Sequence, residues 1–214
     1  MYKAIIFDLD GTLLNTLDDL AASVNFALDS FGFPRRTSEE VRRFIGNGVI
    51  KLMQRATPDG IDGETFEKCF NTFKAHYLEH MCDNTKPYDG ILPLLKTLSK
   101  KGIKTAVVSN KLHSGVVGLC KDFFGDLLTC VFGVETEDER KPAPKNVFKA
   151  FDALGVSQTE AIYVGDSEVD VMTAKNAKLS CIGVTWGFRD EEELLKSGAQ
   201  FIAHNVEDIL KIIE

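Results

Sequence analysis

The sequence predicts an α/β fold built on a doubly wound parallel sheet of Rossmann type, with an inserted domain that is all helical. Short apolar segments alternate with longer amphipathic ones over most of the chain, which is typical of a parallel sheet with helices on both faces. The interval from residue 15 to about residue 86 breaks this pattern, because it contains amphipathic helical segments and no convincing strand. The predicted strands are 4–8, 104–109, 130–134, 161–165 and 181–185, with a weaker sixth candidate at 201–203.

Several helices are predicted in the inserted interval, and three of them carry clear signals. Apolar residues recur at the helical period over 17–31, and Thr16 stands where its side chain can cap the first turn. The sequence Thr-Ser-Glu-Glu at 37–40 matches a capping box and predicts a helix over 41–45. A third helix, at about 65–81, carries its aromatic residues on one face.

The helical interval indicates two domains, one of them discontinuous in sequence. We expect residues 1–14 and 87–214 to form the parallel sheet and its helices, and residues 15–86 to form the helical domain. The chain would then cross between the domains near 14–16 and again near 84–89. No internal repeat or low-complexity segment is apparent in either part.

The composition agrees with a compact soluble enzyme. A chain of 214 residues with 44% hydrophobic content can bury a substantial core. The net charge of −7 argues against a nucleic-acid partner, and no apolar run approaches the about 18 residues that cross a membrane. The five cysteines are scattered without a CxxC pair. Because the first predicted strand begins at residue 4, we expect no signal peptide. We expect a cytoplasmic monomer or homodimer with reduced thiols.

The end of the first predicted strand carries the most informative residues of the chain. Asp8 and Asp10 directly follow the apolar run 4–7, and Gly11 and Thr12 come next. A carboxylate there can bind a hard cation or attack phosphorus to form an acyl phosphate, and its neighbour can handle the proton of the leaving group. Glycine permits a sharp turn, and the threonine offers its hydroxyl and N–H to a phosphoryl oxygen. The alternative is a surface turn, in which Asp and Gly are common.

Three later segments end in residues that suit the same chemistry. Ser109 and Asn110 follow a predicted strand and can donate a hydroxyl and an amide N–H to a phosphate oxygen. Lys141 stands beside two prolines that stiffen its backbone, and an ammonium suits charge developing on a phosphoryl group. Asp166 can reach the same cation as Asp8, and Asp170 can orient the lysine or a metal-bound water. Taken singly, each segment is also compatible with a helix cap or a solvated turn.

These four segments, in this order and spacing, resemble the motifs of the haloacid dehalogenase superfamily, and specifically those of its phosphatases. The resemblance covers essentially the whole chain. It implies that Asp8 is the nucleophile, that Asp10 is the general acid and base, and that Ser109 and Lys141 hold the phosphoryl group. It also implies Mg²⁺, bound by the Asp8 carboxylate, the Asp10 main-chain carbonyl and the Asp166 carboxylate. The substrate would be a small phosphorylated metabolite, and the helical domain would be a cap.

One loop of the helical interval bears on the substrate. The turn Gly46-Asn47-Gly48 lies between two predicted helices, and Lys51 and Arg55 follow it. Main-chain N–H groups at the start of the second helix can receive an anion, and arginine can grip a carboxylate through two donors. The segment resembles the corresponding loop of phosphoglycolate phosphatases, which implies 2-phosphoglycolate as substrate. The alternative is an ordinary connection between helices.

Other functions within and outside this superfamily stay open on the sequence alone. A pyrophosphatase or a broad sugar-phosphate phosphatase would keep every predicted catalytic residue, and a phosphomutase would retain the phosphate on its sugar. A dehalogenase is disfavoured, because Asp10 and Thr12 are residues of the phosphatases in this family. A non-catalytic binding module would not require the combination of Asp8, Asp10, Lys141 and Asp166.

Four further features receive structural interpretations. His76 and His80 have the i,i+4 spacing of zinc ligands but no evident third ligand, so we interpret them as surface or packing residues. The acidic run 135–139 is interpreted as a solvated loop. Lys178 occupies a helix end where this family usually has glycine, and a left-handed backbone there would cost about 1 kcal/mol. Trp186 follows a strand and either lines the rim of the site or packs elsewhere.

Overall fold

The computed structural model describes residues 2–214, which divide into two compact units. One unit consists of the residues up to Leu14 together with Pro87–Glu214, and the other of Asn15–Lys86. That the second unit acts as a cap stays a prediction. No helix among the described residues has the length and apolar character required to cross a membrane.

The discontinuous unit contains one six-stranded parallel sheet. The strands of the chain are β1 (Ala4–Phe7), β2 (Leu14–Asn15), β3 (Lys86–Pro87), β4 (Lys104–Leu112), β5 (Cys130–Val134), β6 (Ala161–Gly165), β7 (Cys181–Val184) and β8 (Phe201–Ala203). The large sheet has the order β5-β4-β1-β6-β7-β8, and the short strands β2 and β3 pair separately. The order reverses direction after β1, so the predicted doubly wound sheet is confirmed.

Both faces of this sheet are buried. Ile5 and Phe7 of β1 belong to one apolar cluster, while Ala4 and Ile6 belong to a second cluster. Successive side chains of a strand point to opposite faces, so a strand covered on both sides is apolar throughout. The covering helices are α5 (Ile91–Lys100), α6 (His113–Phe124), α7 (Lys145–Leu154), α8 (Glu168–Asn176), α9 (Glu191–Ser197) and α10 (Val206–Ile213), numbered after the four of the other unit.

The second unit consists mainly of four helices around their own core. They are α1 (Leu17–Ser30), α2 (Ser38–Phe44), α3 (Val49–Ala56) and α4 (Gly63–His80). Buried Leu28, Met53 and Phe73 are among the residues that fill its centre. The predicted capping box at the start of α2 is present, with Thr37 accepting from the N–H of Glu40 and the Glu40 carboxylate accepting in return.

Three local predictions are settled by the backbone and its hydrogen bonds. Thr16 does precede α1, but its side chain makes no capping bond, and its buried hydroxyl lacks a hydrogen-bond partner. The solvated loop predicted at 135–139 is wrong for Glu139, which is buried and accepts from the N–H of Glu135 and from Lys149 Nζ. These bonds, first that from Lys149, lower the pKa of Glu139 to about 2. Lys178 has a φ of 56°, so the left-handed conformation is present.

Candidate active site

The predicted site residues of the α/β unit meet where three adjacent strands end. Asp8 directly follows β1, Asp166 directly follows β6, and Ser109 lies in the last part of β4. Because β4, β1 and β6 are neighbours in one parallel sheet, their carboxyl ends lie at the same edge. The strands thus bring together residues more than a hundred positions apart.

Lys141 is enclosed by two carboxylates. Its Nζ lies 2.8 Å from Oδ1 of Asp8 and 2.7 Å from Oδ1 of Asp170, and its side chain is only 3% exposed. Burial by itself would lower the pKa of Lys141, but the two carboxylates raise it above its usual value. Burial, followed by repulsion from Asp170, raises the pKa of Asp8 well above its usual range. The lysine is therefore a fixed cation within the site.

Asp170 accepts hydrogen bonds from several protein donors. Its Oδ1 accepts from Lys141 Nζ and from the Tyr163 hydroxyl at 3.2 Å, and its Oδ2 accepts from the N–H and hydroxyl of Ser167. The Tyr163 hydroxyl also lies 3.3 Å from the carbonyl oxygen of Val108, so two acceptors share its one proton. These contacts agree with one of the two roles predicted for Asp170, the orientation of Lys141, and the role itself stays a prediction. Tyr163 was not foreseen, because nothing in a buried strand marks one tyrosine as a donor to the site.

Asp166 is held from two different loops. Thr12 donates its hydroxyl to Oδ1 at 2.9 Å, and the main-chain N–H of Phe188 donates to Oδ2 at 2.8 Å. The Thr12 hydroxyl was predicted to bind a phosphoryl oxygen, but the structure directs its single proton to Asp166. Burial, followed by repulsion from Asp170, raises the pKa of Asp166 to about 7.

Two glycines allow these loops to approach Asp166 closely. A Cβ at Gly11, whose φ is 87°, would lie 2.3 Å from Oδ2 of Asp166. A Cβ at Gly187 would lie 2.3 Å from the Cβ of Asp166 and 2.4 Å from the carbonyl oxygen of Gly11. Next to it, Trp186 donates its indole N–H to the carbonyl of Thr12 at 3.0 Å, so this residue braces the loop that follows β1.

Asn110 connects the second predicted segment to the third. Its Oδ1 accepts from the main-chain N–H of Lys141 at 2.6 Å, and its Nδ2 donates to the carbonyl of the same residue at 3.3 Å. The side-chain amide of Asn110 thus fixes the main chain of the lysine, and the donation of an amide N–H from Asn110 to phosphate stays a prediction. Ser109 is buried, and its hydroxyl oxygen accepts from the N–H of Lys111 at 3.2 Å.

Asp10 is paired with a lysine that sequence reasoning missed. Lys111 Nζ lies 3.3 Å from Oδ1 of Asp10, and the two side chains are 10% and 19% exposed. The predicted strand ended at residue 109, whereas β4 continues to Leu112 with a shift in register after Val108. One feature of the sequence could have indicated this lysine. It lies two positions beyond Ser109, and residues two apart in a strand point to the same face.

The comparisons with known proteins agree with this geometry. Residues 5–184 match the family model of haloacid dehalogenase-like hydrolases. The chain belongs to this family. It is 32% identical over 214 residues to phosphoglycolate phosphatase 1 of Pseudomonas aeruginosa, covering 97% of this chain and 78% of that one. The phosphoglycolate phosphatase of Mannheimia succiniciproducens is also 32% identical, over 99% of this chain and 98% of its own.

Solved structures show the same fold over the whole length of this hydrolase. A candidate phosphoglycolate phosphatase from Lactobacillus delbrueckii subsp. bulgaricus superimposes with a TM-score of 0.94 at 34% identity, covering 99% of this chain and 98% of that one. A predicted phosphoglycolate phosphatase from Haemophilus somnus gives a TM-score of 0.90 at 31% identity, with 100% and 98% coverage. The family resemblance stated from the sequence is confirmed.

The acidic residues of this hydrolase fit a hard divalent cation. Carboxylate oxygens of Asp8, Asp166 and Asp170 lie within 4.8 Å of one another, and all three residues are buried. Three carboxylates against the single ammonium of Lys141 leave two negative charges without compensation, which a divalent cation would balance. Asp170 already accepts from Lys141 and Ser167, so Asp8 and Asp166 are the side chains better placed to hold it.

The predicted anion loop lies in the helical unit, and its conformation depends on glycine. Gly46 and Gly48 have φ angles of 125° and 83°, a region that other residues rarely adopt. Arg55 donates from one nitrogen to the carbonyl of Phe44 and from another to Oδ1 of Asn47, each at 2.7 Å. Within its own unit, Arg55 thus supports the loop, and at least two of its five N–H donors are occupied.

Proposed function

We propose that this hydrolase is a Mg²⁺-dependent phosphatase of small phosphate monoesters, with 2-phosphoglycolate as the preferred substrate. The reaction would pass through an aspartyl phosphate on Asp8. The observation that carries the proposal is the position of Asp8, buried between Lys141 and Asp166 at the edge where three parallel strands end. A plain structural role would not require three buried carboxylates within 4.8 Å of one another.

The residues of the site divide the chemistry between them. Asp8 attacks phosphorus in line, while Lys141 and Ser109 hold the phosphoryl oxygens as negative charge develops on them. Asp10, whose side chain is more exposed than that of Asp8, donates a proton to the leaving oxygen and then accepts one from the attacking water. Asn110 and Asp170 keep Lys141 in place, one through its main chain and one through its ammonium.

Mg²⁺ is the cation that suits this proposal. It binds through oxygen, accepts few protein carboxylates and, when bound, neutralises charge on the phosphoryl oxygens that it contacts. The Asp8 and Asp166 carboxylates would hold it, together with the main-chain carbonyl of Asp10. The raised pKa values of Asp8 and Asp166 support a cation here, because these carboxyls bear their charge at a cost in its absence.

The choice of 2-phosphoglycolate rests on the relatives and on the helical unit. Curated relatives at about a third identity are phosphoglycolate phosphatases. The Gly46-Asn47-Gly48 loop, kept in shape by Arg55, offers main-chain N–H groups at the start of an eight-residue helix. We assign selection of the organic part of the substrate to this unit, acting as a cap.

The proposal is tested by phosphate release from 2-phosphoglycolate, inorganic pyrophosphate and a hexose phosphate, measured side by side with Mg²⁺ and with a chelator. We expect Mg²⁺-dependent release, with kcat/KM highest for 2-phosphoglycolate. A tenfold lead of pyrophosphate or the hexose phosphate would contradict the substrate and leave the phosphatase class intact. Phosphate that stays on the sugar as an isomer would indicate a mutase. Ligand binding without release from any ester would contradict catalysis altogether.

A further inference from the structure

We propose that Lys111 binds a carboxylate of the substrate and thereby selects phosphate esters whose leaving oxygen is attached to the carbon next to a carboxylate. The inference rests on the proposed phosphatase function and adds to it a specificity residue in the α/β unit. It starts from the pairing of Lys111 with Asp10, the residue to which proton transfer is assigned.

The position of Asp10 fixes where the leaving oxygen has to be. A group that transfers a proton must lie within about 3 Å of the atom that receives it. Lys111 Nζ lies 3.3 Å from Oδ1 of Asp10, so the ammonium borders the same volume. The leaving oxygen and the Lys111 ammonium would therefore both lie beside the Asp10 carboxylate.

The chemistry of an α-oxy acid places its carboxylate in this volume. In such an ester one carbon bears both the leaving oxygen and the carboxyl group, so the carboxylate oxygens lie about 3 Å from the leaving oxygen. An ammonium carries three donors and can hold Asp10 and a substrate carboxylate together. An alkyl ester without the carboxylate presents nothing to the cation.

Lys111 is held in this position by its surroundings. Its main-chain N–H donates to Ser109, and a Cβ at Gly133 would lie 2.6 Å from its carbonyl oxygen, so its backbone is closely packed. A Cβ at Gly115 of α6 would lie 3.7 Å from its Cδ, which shows that the aliphatic stem runs along that helix. Only 10% of its side chain is exposed. A charge pair that is shielded from bulk water is stronger than one at the surface.

The rival explanation is that Lys111 only positions Asp10. The two explanations differ in their effect on matched substrates. If Lys111 only orients the general acid, its removal slows every ester by the same factor. If it also binds the carboxylate, the loss is greater for 2-phosphoglycolate than for ethyl phosphate, which has the same carbon chain length without the charge.

The test compares wild type with Lys111→Met, Lys111→Arg and the control Lys100→Met, an exposed lysine on α5. For each protein kcat/KM is measured with 2-phosphoglycolate and with ethyl phosphate, and folding is checked by thermal unfolding. We expect the ratio of the two values to fall about 10- to 150-fold in Lys111→Met, the range of one charge-assisted hydrogen bond. Lys111→Arg should retain more of the ratio, and Lys100→Met should leave it unchanged.

Two results would overturn the inference, and they separate it from the proposed function. If wild type hydrolyses both esters but the ratio is the same in Lys111→Met, Lys111 does not bind the carboxylate, and the phosphatase function stands. If wild type releases phosphate from no ester, both fail together. Should Lys111→Met not fold, Lys111→Gln, which also removes the charge, replaces it in the same comparison, and an unchanged ratio again overturns the inference.

Discussion

Lys141 Nζ lies 2.7 Å from Oδ1 of Asp170, a carboxylate with no exposed surface whose other bonds all come from the protein. The lysine also reaches Asp8, so one cation connects the proposed nucleophile to a fully buried carboxylate. The orientation of the lysine therefore depends on Asp170 as well as on Asp8. On the proposed mechanism, we expect Asp170 to influence catalysis through Lys141.

Asp170→Asn should lower kcat for phosphate release by about 10- to 100-fold, the usual effect of losing a group that orients a catalytic residue. The amide keeps the shape of the side chain but removes the charge that holds Lys141. The measurement is kcat at saturating substrate, with cooperative thermal unfolding as evidence of folding. Asp152→Asn, an exposed acid on α7, serves as the control. Unchanged kcat in Asp170→Asn would show that Asp8 alone suffices to place the lysine.

Gly187→Ala should weaken metal binding, because its Cβ would lie 2.3 Å from the Cβ of Asp166 and 2.4 Å from a main-chain oxygen. Main-chain atoms cannot move aside as the end of a flexible side chain can. The added methyl group should therefore lower the free energy of unfolding by about 1–3 kcal/mol and displace Asp166. We expect the Mg²⁺ concentration for half-maximal activity to rise at least about tenfold, in keeping with the 10–100-fold cost of disturbing a metal ligand's support.

The matched control for this glycine is Gly118→Ala on α6, where an added Cβ would have no neighbour within 4 Å. Alanine is the better helix former there, so stability should be equal or slightly higher. An equal Mg²⁺ requirement in Gly187→Ala and Gly118→Ala would show that the close approach to Asp166 is unimportant for the metal.

The stability of the metal-free protein should fall as pH rises through neutrality. Asp166 has a pKa of about 7 in the folded chain, against about 3.9 for an unfolded aspartate. A carboxyl with a raised folded pKa stabilises the fold fully below about pH 4, and that contribution is lost as pH rises through about 7. Asp8, whose pKa is also raised, acts in the same direction.

Mg²⁺ should reverse this loss, since it replaces the protons that the buried carboxylates release. We therefore expect Mg²⁺ to raise Tm by more at about pH 8 than at about pH 5, measured against chelator-treated protein. Asp166→Asn cannot titrate at that position. In this variant the rise in Tm caused by Mg²⁺ should therefore differ less between the two pH values than in wild type. A Mg²⁺ effect of equal size at both pH values in wild type would contradict a cation held by these carboxylates.

The fold and the main candidate residues could be predicted because their signals are local. An apolar run followed at once by Asp8 and Asp10, or by Asp166, contains both the strand and the group at its end. The parallel sheet then brings such ends to one edge, whatever lies between them in sequence. For this reason short segments sufficed to predict the α/β architecture.

The connections between these residues could not be predicted, because each depends on register and on loop geometry. Thr12 and Asp166 are 154 positions apart, and Asn110 and Lys141 are 31 apart. In both cases the polar group was foreseen, but its hydrogen bond to a distant part of the chain was not. Lys111 escaped notice because β4 extends beyond the residue at which its apolar pattern ends.

The local errors have the same origin. Thr16 has the residue type and position of a cap, yet its hydroxyl is buried without forming the bond. Glu139 belongs to an acidic run that resembles a solvated loop, but a turn directs this one carboxylate toward two main-chain N–H groups and Lys149. Composition describes such a run as a whole and does not identify the member that turns inward.

The most direct test of the proposed mechanism is Mg²⁺-dependent phosphate release from 2-phosphoglycolate by Asp8→Asn, compared with wild type. The amide cannot act as the nucleophile, so the rate should fall on the order of 10⁴-fold or more. Because Asp8 bears its charge at a cost in the folded chain, the variant should unfold no more easily than wild type, so misfolding would not account for the loss. Turnover near the wild-type rate would contradict the assignment of Asp8 and, with it, the aspartyl-phosphate route.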